Sequence, residues 1–278
     1  MKVRTPHFDF SEALPQWCSD REFGATWNAA SLLLPTLEPF LNRVIMRARS
    51  ELKCTDASSL ALKEELAVFV GQEGVHYKIH DQYNAILHKQ YPGLAAYEEK
   101  MSQYYSSILK TESMRFLTGF CESFEMVGPI YAVIWLDNFD DIFKNSQPCV
   151  VNMWKWHWSE EYEHRTSCYR AHNLYNKSYA YRLYILGYTM NVLKNFQYGM
   201  LNHMLDADRA LMSEDDRRKS IANQQRWTRI MSGKLLPPLL KGALPFYSPV
   251  GMPKPKSFDR FMAWFENNME AASHTHFS

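Results

Sequence analysis

The chain has 278 residues and a formal net charge of +1, from 31 Lys and Arg against 30 Asp and Glu. This near-neutral balance argues against a nucleic-acid-binding surface. This length suffices for one large domain or two small ones, and a hydrophobic share of 46% suffices for a sizeable core. Only 11 glycines and 13 prolines are present, too few for the frequent turns of a many-stranded β fold.

Cysteine usage and hydropathy indicate the compartment. The five cysteines include no Cys-x-x-Cys pair, which favours a reducing environment over a disulfide scaffold. Residues 1–21 contain acidic residues and no continuous apolar run, so we expect no signal peptide. Because no apolar stretch approaches the roughly 20 residues of a spanning helix, we expect a cytoplasmic protein without a membrane span.

The predicted secondary-structure elements are all helices, between an irregular N-terminal arm and a Pro-rich segment near the C-terminus. Residues 1–25 are predicted to form an irregular arm, and Pro39 is expected in the first turn of its helix. Asp56 is a candidate cap, and Tyr91-Pro92-Gly93 is a stop signal. The prolines between 237 and 257 are expected to break the chain. The predicted helices span 36–53, 58–90, 94–127 with a break near 110, 130–143, 150–175, 179–212, a segment opening at 213, and 257–272.

We therefore predict an all-α fold, with a ferritin-like four-helix bundle core and additional C-terminal helices. The whole chain, 1–278, is predicted to be a single domain. Within it, residues 1–25 form the arm, 30–175 the di-metal core, and 176–278 the additional helices with the Pro-rich segment.

Two Glu-x-x-His motifs carry the strongest chemical signal. One is Glu73-Gly74-Val75-His76 and the other is Glu161-Tyr162-Glu163-His164. Residues three apart project from the same face of a helix. Two such faces, with one more Glu from each of two further helices, form the di-metal site of ferritin-like bundles. Four carboxylates would neutralise two divalent ions, whose burial would otherwise be prohibitive.

The remaining candidate ligands are identified by their spacing along a helix or by their apolar neighbours. His157 precedes Glu161 by four residues and joins the stripe of Glu161 and His164. Glu38 and Glu122 are acids among apolar neighbours, where burial without a partner is costly. The predicted metal ligands are Glu38, Glu73, His76, Glu122, His157, Glu161 and His164, with His80 as a further candidate. The predicted catalytic carboxylates are Glu73, Glu122 and Glu161.

Three alternatives stay open at this stage. Glu125 competes with Glu122 for the third helix, with Glu122 preferred. Glu38 has a second explanation, since a Glu in a first helical turn is favoured by the helix dipole. His80 lies four residues after His76, so it is a ligand, a hydrogen-bond partner of a ligand or a core histidine. Glu163 is expected to face away, as a solvated acid or a partner of Arg165.

These motifs resemble a bacterial family described as "predicted metal-dependent hydrolase", which has a ferritin-like pattern. The matching pieces are Gln72–His80, the Glu122 segment and Trp156–Arg165, and Leu33–Phe40 is similar. In that last piece Leu37 stands where the family has Gly. The resemblance covers about residues 30–250 and implies a di-metal site.

The stripe of His157, Glu161 and His164 is also similar to the ligand arrangement of di-iron arylamine N-oxygenases. That resemblance implies two iron ions, with manganese or zinc as alternatives, and activation of O₂. The first hypothesis is thus a non-haem di-iron oxidoreductase that oxidises a small organic substrate. Its partners would be the small-molecule substrate, O₂ and an electron donor protein, with no nucleic acid, and a homodimer is compatible.

The alternative hypothesis is a metal-dependent hydrolase that uses a water activated by two metals. No separate hydrolase signature such as Gly-x-Ser-x-Gly or His-Glu-x-x-His is present. A third, non-enzymatic hypothesis is a metal store or sensor. The irregular segment 237–257 makes a cage-forming store the least favoured.

Overall fold

A computed structural model describes residues 1–277, and those residues form helices and loops without a strand. The all-α prediction is confirmed. The helices are α1 (Arg21–Ser31), α2 (Leu34–Glu51), α3 (Ala57–Gln90), α4 (Leu94–Thr111), α5 (Met114–Glu125), α6 (Gly128–Asp137), α7 (Asp140–Phe143), α8 (Pro148–His164), α9 (Ser167–His172), α10 (Tyr179–Arg209), α11 (Glu214–Gly242) and α12 (Phe258–Asn267), with a 3₁₀ turn at Pro249–Gly251.

The longest helix, α3, has the ends that its sequence predicts. Asp56 accepts a hydrogen bond from the Ser59 backbone N–H, and the Ser59 hydroxyl accepts from Asp56 N–H, which forms a capping box. The helix stops at Gln90, and Gly93 follows with a φ of +98°. Glycine adopts this left-handed backbone without steric cost, so the chain can turn sharply into α4.

The start of α2 differs from the prediction. The helix begins at Leu34, and Pro39 therefore lies inside it and not in its first turn. Because Leu33 and Leu34 are buried, burial of this apolar pair places the helix start two residues earlier than expected. Pro39 lacks the N–H that would bond back to the first turn, so the helix does without one backbone hydrogen bond.

Other boundaries also differ. The predicted helix 94–127 is two helices, because Ser113 accepts from the Phe116 N–H and caps a new start. The segments 130–143 and 150–175 are likewise each divided in two. An unpredicted helix, α1, follows the cap at Asp20, so the arm ends near residue 20.

The prediction of a break at Pro237 is wrong. Helix α11 continues through Pro237 and Pro238 to Gly242. The carbonyl that Pro237 leaves without its partner belongs to Gly233, which is exposed. Water can satisfy that carbonyl, which lowers the cost of a proline within a helix.

The core is a bundle in which α2 packs along α3 and against α5, while α8 packs against α3 and α6. Helices α10 and α11 lie outside this bundle, against α1, α5 and α6. All five cysteines are free thiols. Within the described residues, no helix combines the length and the apolar character that a membrane crossing requires.

Candidate metal centre

Two groups of buried side chains meet at the centre of the bundle. In each group, one potential ligand atom of every residue lies within 4.8 Å of the others. Glu161 belongs to both groups. The first group is Glu38, His76, His157 and Glu161, and the second is Glu73, Glu125, Glu161 and His164.

Four helices supply these side chains. Glu38 lies on α2, Glu73 and His76 on α3, and Glu125 at the last residue of α5. His157, Glu161 and His164 lie on α8 at spacings of four and three residues, which places them on one face of the helix. The structure therefore brings together six of the seven predicted ligands, with Glu125 where Glu122 was expected.

The carboxylate of Glu161 lies between the histidines of the two groups. Its Oε1 is 3.7 Å from His76 Nδ1 and 3.5 Å from His157 Nε2. Its Oε2 is 3.2 Å from His164 Nε2. One oxygen of Glu161 thus faces each group.

Gly128, at the start of α6, gives Glu161 its place. A Cβ at this position would lie 2.5 Å from Glu161 Oε2 and 2.9 Å from Glu161 Cβ. Any larger residue would therefore push the shared carboxylate away. Gly128 thus allows α6 to approach α8 closely. Together with Pro129 it also separates α6 from α5.

The polar atoms that face one another within the two groups lack hydrogen-bond partners. Both carboxylate oxygens of Glu38, Glu73, Glu125 and Glu161 are buried without one, as are His76 Nδ1, both nitrogens of His157, and His164 Nε2. At about 1–3 kcal/mol for each unsatisfied side chain, these buried groups would cost on the order of 10 kcal/mol in total. Four acids and three imidazoles that converge without donors fit two divalent cations, which would satisfy them together.

His76 and His164 have their outer nitrogens fixed. His76 Nε2 lies 3.0 Å from Glu160 Oε2, and His164 Nδ1 lies 3.1 Å from Gln72 Oε1. Both partner atoms are acceptors, so these ring nitrogens carry the protons. The opposite nitrogens, His76 Nδ1 and His164 Nε2, face the carboxylates, and in the neutral rings their lone pairs would be available to a metal.

Arg4 of the N-terminal arm holds the hydrogen-bond partners of both histidines, Glu160 directly and Gln72 through Glu163. Its guanidinium donates to Glu160 Oε1 at 2.9 Å and to both oxygens of Glu163, also at 2.9 Å. Gln72 Nε2 in turn donates to Glu163 Oε2 at 3.1 Å, which sets the amide so that its oxygen faces His164. We call Arg4, Gln72, Glu160 and Glu163 the outer network.

The charges within the cluster shift its pKa values strongly. Burial and the neighbouring carboxylates raise the pKa of Glu38 well above its usual range. Burial raises the pKa of Glu125 in the same way, with a further contribution from Glu161. Burial lowers the pKa of His157, so this imidazole is neutral. For His76, burial is outweighed by the hydrogen bond to Glu160 and by the nearby Glu73 carboxylate, which raise the pKa to about 9.

Glu122, the preferred ligand of the sequence prediction, lies outside both groups. Its carboxylate is 3.9 Å from Arg182 Nη1 on α10, on another side of α5. Both Glu122 and Glu125 are 2% exposed, so burial does not distinguish them. The orientation of α5, which starts anew at the Ser113 cap, decides that Glu125 reaches the cluster.

The other candidate residues have identifiable positions. His80 is outside both groups, and its Nδ1 is hydrogen bonded to the Ser31 hydroxyl at 2.8 Å. Its ring packs on that of His157 at 5.0 Å between centroids. Glu163 pairs with Arg4, whereas Arg165 donates to the carbonyls of Tyr162 and Pro249.

Sequence reasoning did not find Arg4 or the role of Glu160. Arg4 stands 156 residues before Glu160 in the chain, so no local pattern joins them. A signal for Gln72 existed, since it directly precedes the first Glu-x-x-His motif.

Comparison with known families gives one match. The model of the family described as "Predicted metal-dependent hydrolase" matches residues 2–252. The chain belongs to this family. The predicted family membership is thus confirmed, and the match includes Arg4 and every member of the two ligand groups. The family description names hydrolysis, so it favours the hydrolase alternative over oxidation.

No curated protein and no solved structure matches the chain. The similarity to di-iron arylamine N-oxygenases therefore rests on the motif alone.

Proposed function

We propose that this protein is a hydrolase that depends on two metal ions. The observation that carries the proposal is the pair of buried ligand groups that share Glu161. Membership in a family described as metal-dependent hydrolases supports the same reaction class.

The proposed ligands are Glu38, Glu73, His76, Glu125, His157, Glu161 and His164. When bound, two divalent metals would lower the pKa of a water molecule and polarise the bond to be cleaved. The four carboxylates would balance the positive charge of the metals. Carboxylate and imidazole donors together suit zinc, manganese and iron.

The protein's own contribution is to hold these ligands in place. Glu160 and Gln72 keep the protons of His76 and His164 on the outer ring nitrogens, so the inner nitrogens stay available. The aromatic rings of Phe69 and Trp156 lie 4.9 Å from His164 and 4.8 Å from His76, centroid to centroid. These rings restrict imidazole rotation and exclude bulk water from the ligands.

The test is metal-dependent hydrolysis. Protein stripped of metal would be reconstituted anaerobically with zinc, manganese or Fe(II), and assayed against carboxylic esters, amides and phosphate esters. We expect hydrolysis to appear only with added metal, at about two ions per chain. Glu161→Gln should lose both the metal and the activity while its far-ultraviolet circular dichroism stays unchanged.

The matched control is Glu122→Gln, which changes another buried acid that lies outside both the ligand groups and the outer network. Hydrolysis without metal, or two metals bound per chain of Glu161→Gln, would contradict the proposal.

Oxidation at a di-iron site is the second candidate. The observation that favours it is the oxygen-rich, fully buried donor set, which suits iron. O₂ and an electron donor would then be the partners. Stoichiometric O₂ uptake by the Fe(II) protein, together with no anaerobic hydrolysis by any metal form, would establish this candidate in place of the first.

A further inference from the structure

Large apolar side chains are exposed at the C-terminal end of α11 and in the loop that follows it. Five of the large apolar side chains that are exposed among the described residues fall within 236–250. These five residues, which we call the apolar patch, are Leu236, Leu240, Leu244, Phe246 and Val250. Large apolar side chains that cluster at a surface mark an interaction site, whereas scattered ones do not.

Helix α10 fixes the backbone of this segment. The hydroxyl of Tyr179 donates to the Ala243 carbonyl at 2.8 Å. The guanidinium of Arg182 donates to the Gly242 and Leu244 carbonyls at 2.8 Å and 2.7 Å. The apolar patch is therefore displayed by an anchored backbone, so binding of a partner costs little further ordering of the chain.

The sequence around the apolar patch is basic. Between Asp216 and Asp259 it contains nine Lys and Arg and no Asp or Glu, whereas the whole chain is almost neutral. Four of the nine form ion pairs, with Asp215, Asp216, Asp20 and Asp259. The other five form no ion pair within the described part of the chain, and these are Arg217, Arg229, Lys234, Lys241 and Lys256.

Acids of other helices lie near this segment but leave its outer face positive. Asp137 of α6 is half-buried and accepts from the backbone N–H groups of Lys256 and Ser257 at 2.8 Å and 2.9 Å. Glu122 lies 3.9 Å from Arg182 and is 2% exposed, so its charge faces the interior. The exposed basic side chains therefore remain available to an anionic partner.

Basic and apolar residues share the exposed face of α11. Four exposed residues lie at spacings of four, three and four, which places them on one face: Arg229, Gly233, Leu236 and Leu240. Lys241, also exposed, directly follows Leu240. Leu and Phe beside Lys and Arg are typical of segments that lie in the interface of a membrane. The apolar groups enter the boundary of the acyl chains, while the charged ends reach the headgroups.

The same charges argue against a second copy of this chain as the partner. In a two-fold dimer a surface patch meets the identical patch of the other copy. Arg229 and Lys241 would then approach their own counterparts, and like charges repel. A membrane that contains anionic lipids has the opposite charge and can receive the apolar side chains as well.

We propose that the apolar patch and the basic residues around it dock this protein on an anionic membrane surface. Phe246 and the exposed leucines enter the boundary between headgroups and acyl chains, and the basic side chains contact anionic headgroups. The proposal goes beyond the proposed function. Docking can be measured whether or not the metal centre hydrolyses a substrate, so failure of one proposal is distinguishable from failure of the other.

The first experiment measures binding of the full chain to lipid vesicles by co-sedimentation. One set of vesicles contains phosphatidylcholine with about 30% phosphatidylserine, and the other contains phosphatidylcholine alone. We expect affinity for the anionic vesicles to be at least tenfold higher and to fall as salt is raised, because salt screens the charges. No binding to the anionic vesicles, or equal binding to both sets, would overturn the proposal.

Phe246→Ser tests the apolar part of the surface. The ring is 97% exposed, so folding does not depend on it, and its loss should weaken binding to anionic vesicles about tenfold. Leu211→Ser is the control, because Leu211 is 89% exposed but lies just after the last residue of α10. The first turn of α10 adjoins Ala243, and the helix is about 45 Å long. Equal losses in the two variants would contradict the assignment.

Lys241→Glu tests the charge. It should weaken binding to anionic vesicles at least fivefold, since each basic residue near such a surface contributes about that factor. Lys89→Glu is the matched control, because Lys89 is likewise exposed in the last turn of a long helix. Pro92, three residues later, contacts His203 near the other end of α10. An equal loss in Lys89→Glu would mean that net charge, and not this surface, attracts the protein.

Sedimentation equilibrium without lipid tests the competing occupant. We expect the parent and Phe246→Ser to have the same oligomeric state. Self-association that Phe246→Ser abolishes, together with vesicle binding that the substitution leaves unchanged, would assign the apolar patch to a second copy of the chain and overturn the proposal.

Discussion

The inner ligand groups and the outer network contain acids that are equally buried but differently partnered. Glu160 and Glu161 are neighbours on α8, and each is 0% exposed. Glu160 accepts from Arg4 and His76, whereas neither oxygen of Glu161 has a hydrogen-bond partner. The difference shows that this protein supplies donors to the acids that orient the histidines and withholds them from the acids that face the cluster.

The substitution with the largest expected effect on metal binding is Glu125→Gln. The substitution removes one anionic ligand of the second group with little change of shape, so metal affinity should fall more than about 100-fold, beyond the effect of losing an outer partner. Metal content measured by elemental mass spectrometry, with affinity from chelator competition, checks the result. Glu122→Gln is the matched control on the same helix, and a larger loss there than in Glu125→Gln would reverse the assignment.

Disrupting the outer network should lower metal affinity by less than the loss of a ligand does. Arg4→Met removes the guanidinium that holds Glu160 and Glu163, so His76 and His164 lose their fixed orientation. We expect metal affinity to fall about 10–100-fold, while two ions still bind at saturation. Lys2→Met is the control. The Lys2 ammonium lies on the same arm and pairs only with Glu266 among the described acids, so its removal should leave metal affinity unchanged.

Should Arg4→Met bind metal as tightly as the parent, the outer network would be structural only. Partial recovery of affinity in Arg4→Lys would support the positioning role, since lysine restores the charge without the planar geometry.

Glu122 provides a third kind of buried acid, outside both sets. Burial raises its pKa to about 7, and the charge of Arg182 opposes this only in part. Because the folded pKa is above the usual value of 4.5, its contribution to stability is fully present below pH 4.5. That contribution is lost as the pH rises towards 7.

The metal-free parent should therefore lose stability between about pH 5 and pH 8 relative to Glu122→Gln, by roughly 2–3 kcal/mol. Urea unfolding of both proteins at the two pH values measures this difference. A constant difference across the range would show that Glu122 does not titrate there. Tyr247, which also faces Glu122, has a pKa raised by burial and stays neutral throughout.

The smallest predicted effect concerns two glycines near the ligands. Gly74 lies inside α3, and a methyl group added there would have no neighbouring atom within 4 Å. Gly74→Ala should therefore stabilise the protein by about 0.5–1 kcal/mol, as alanine does within helices, without altering metal content. Thermal unfolding measures the gain.

Gly128→Ala is the contrast, because its methyl group would displace the Glu161 carboxylate. It should lower metal content, and metal binding equal to that of Gly74→Ala would show that α6 can move away without consequence.

The sequence alone determined the helical class, the ends of α3 and the ligand pairs within each helix. A spacing of three or four residues places side chains on one face wherever the helix lies, so Glu73 with His76 and His157 with Glu161 and His164 needed no tertiary information. The cap at Asp56 and the turn at Gly93 likewise depend only on residues next to them in the chain.

Tertiary structure decided which acid of α5 faces the ligands and what holds the histidines. Glu122 and Glu125 share one apolar helix, and only the rotation of α5 against α2 and α8 separates their environments. Arg4 lies far from the motifs in sequence, so its contact with Glu160 exists only after folding. A cavity of about 340 Å³ beside α8 is likewise formed by side chains from seven helices. Helical periodicity relates residues within one helix, whereas these features depend on how separate helices pack.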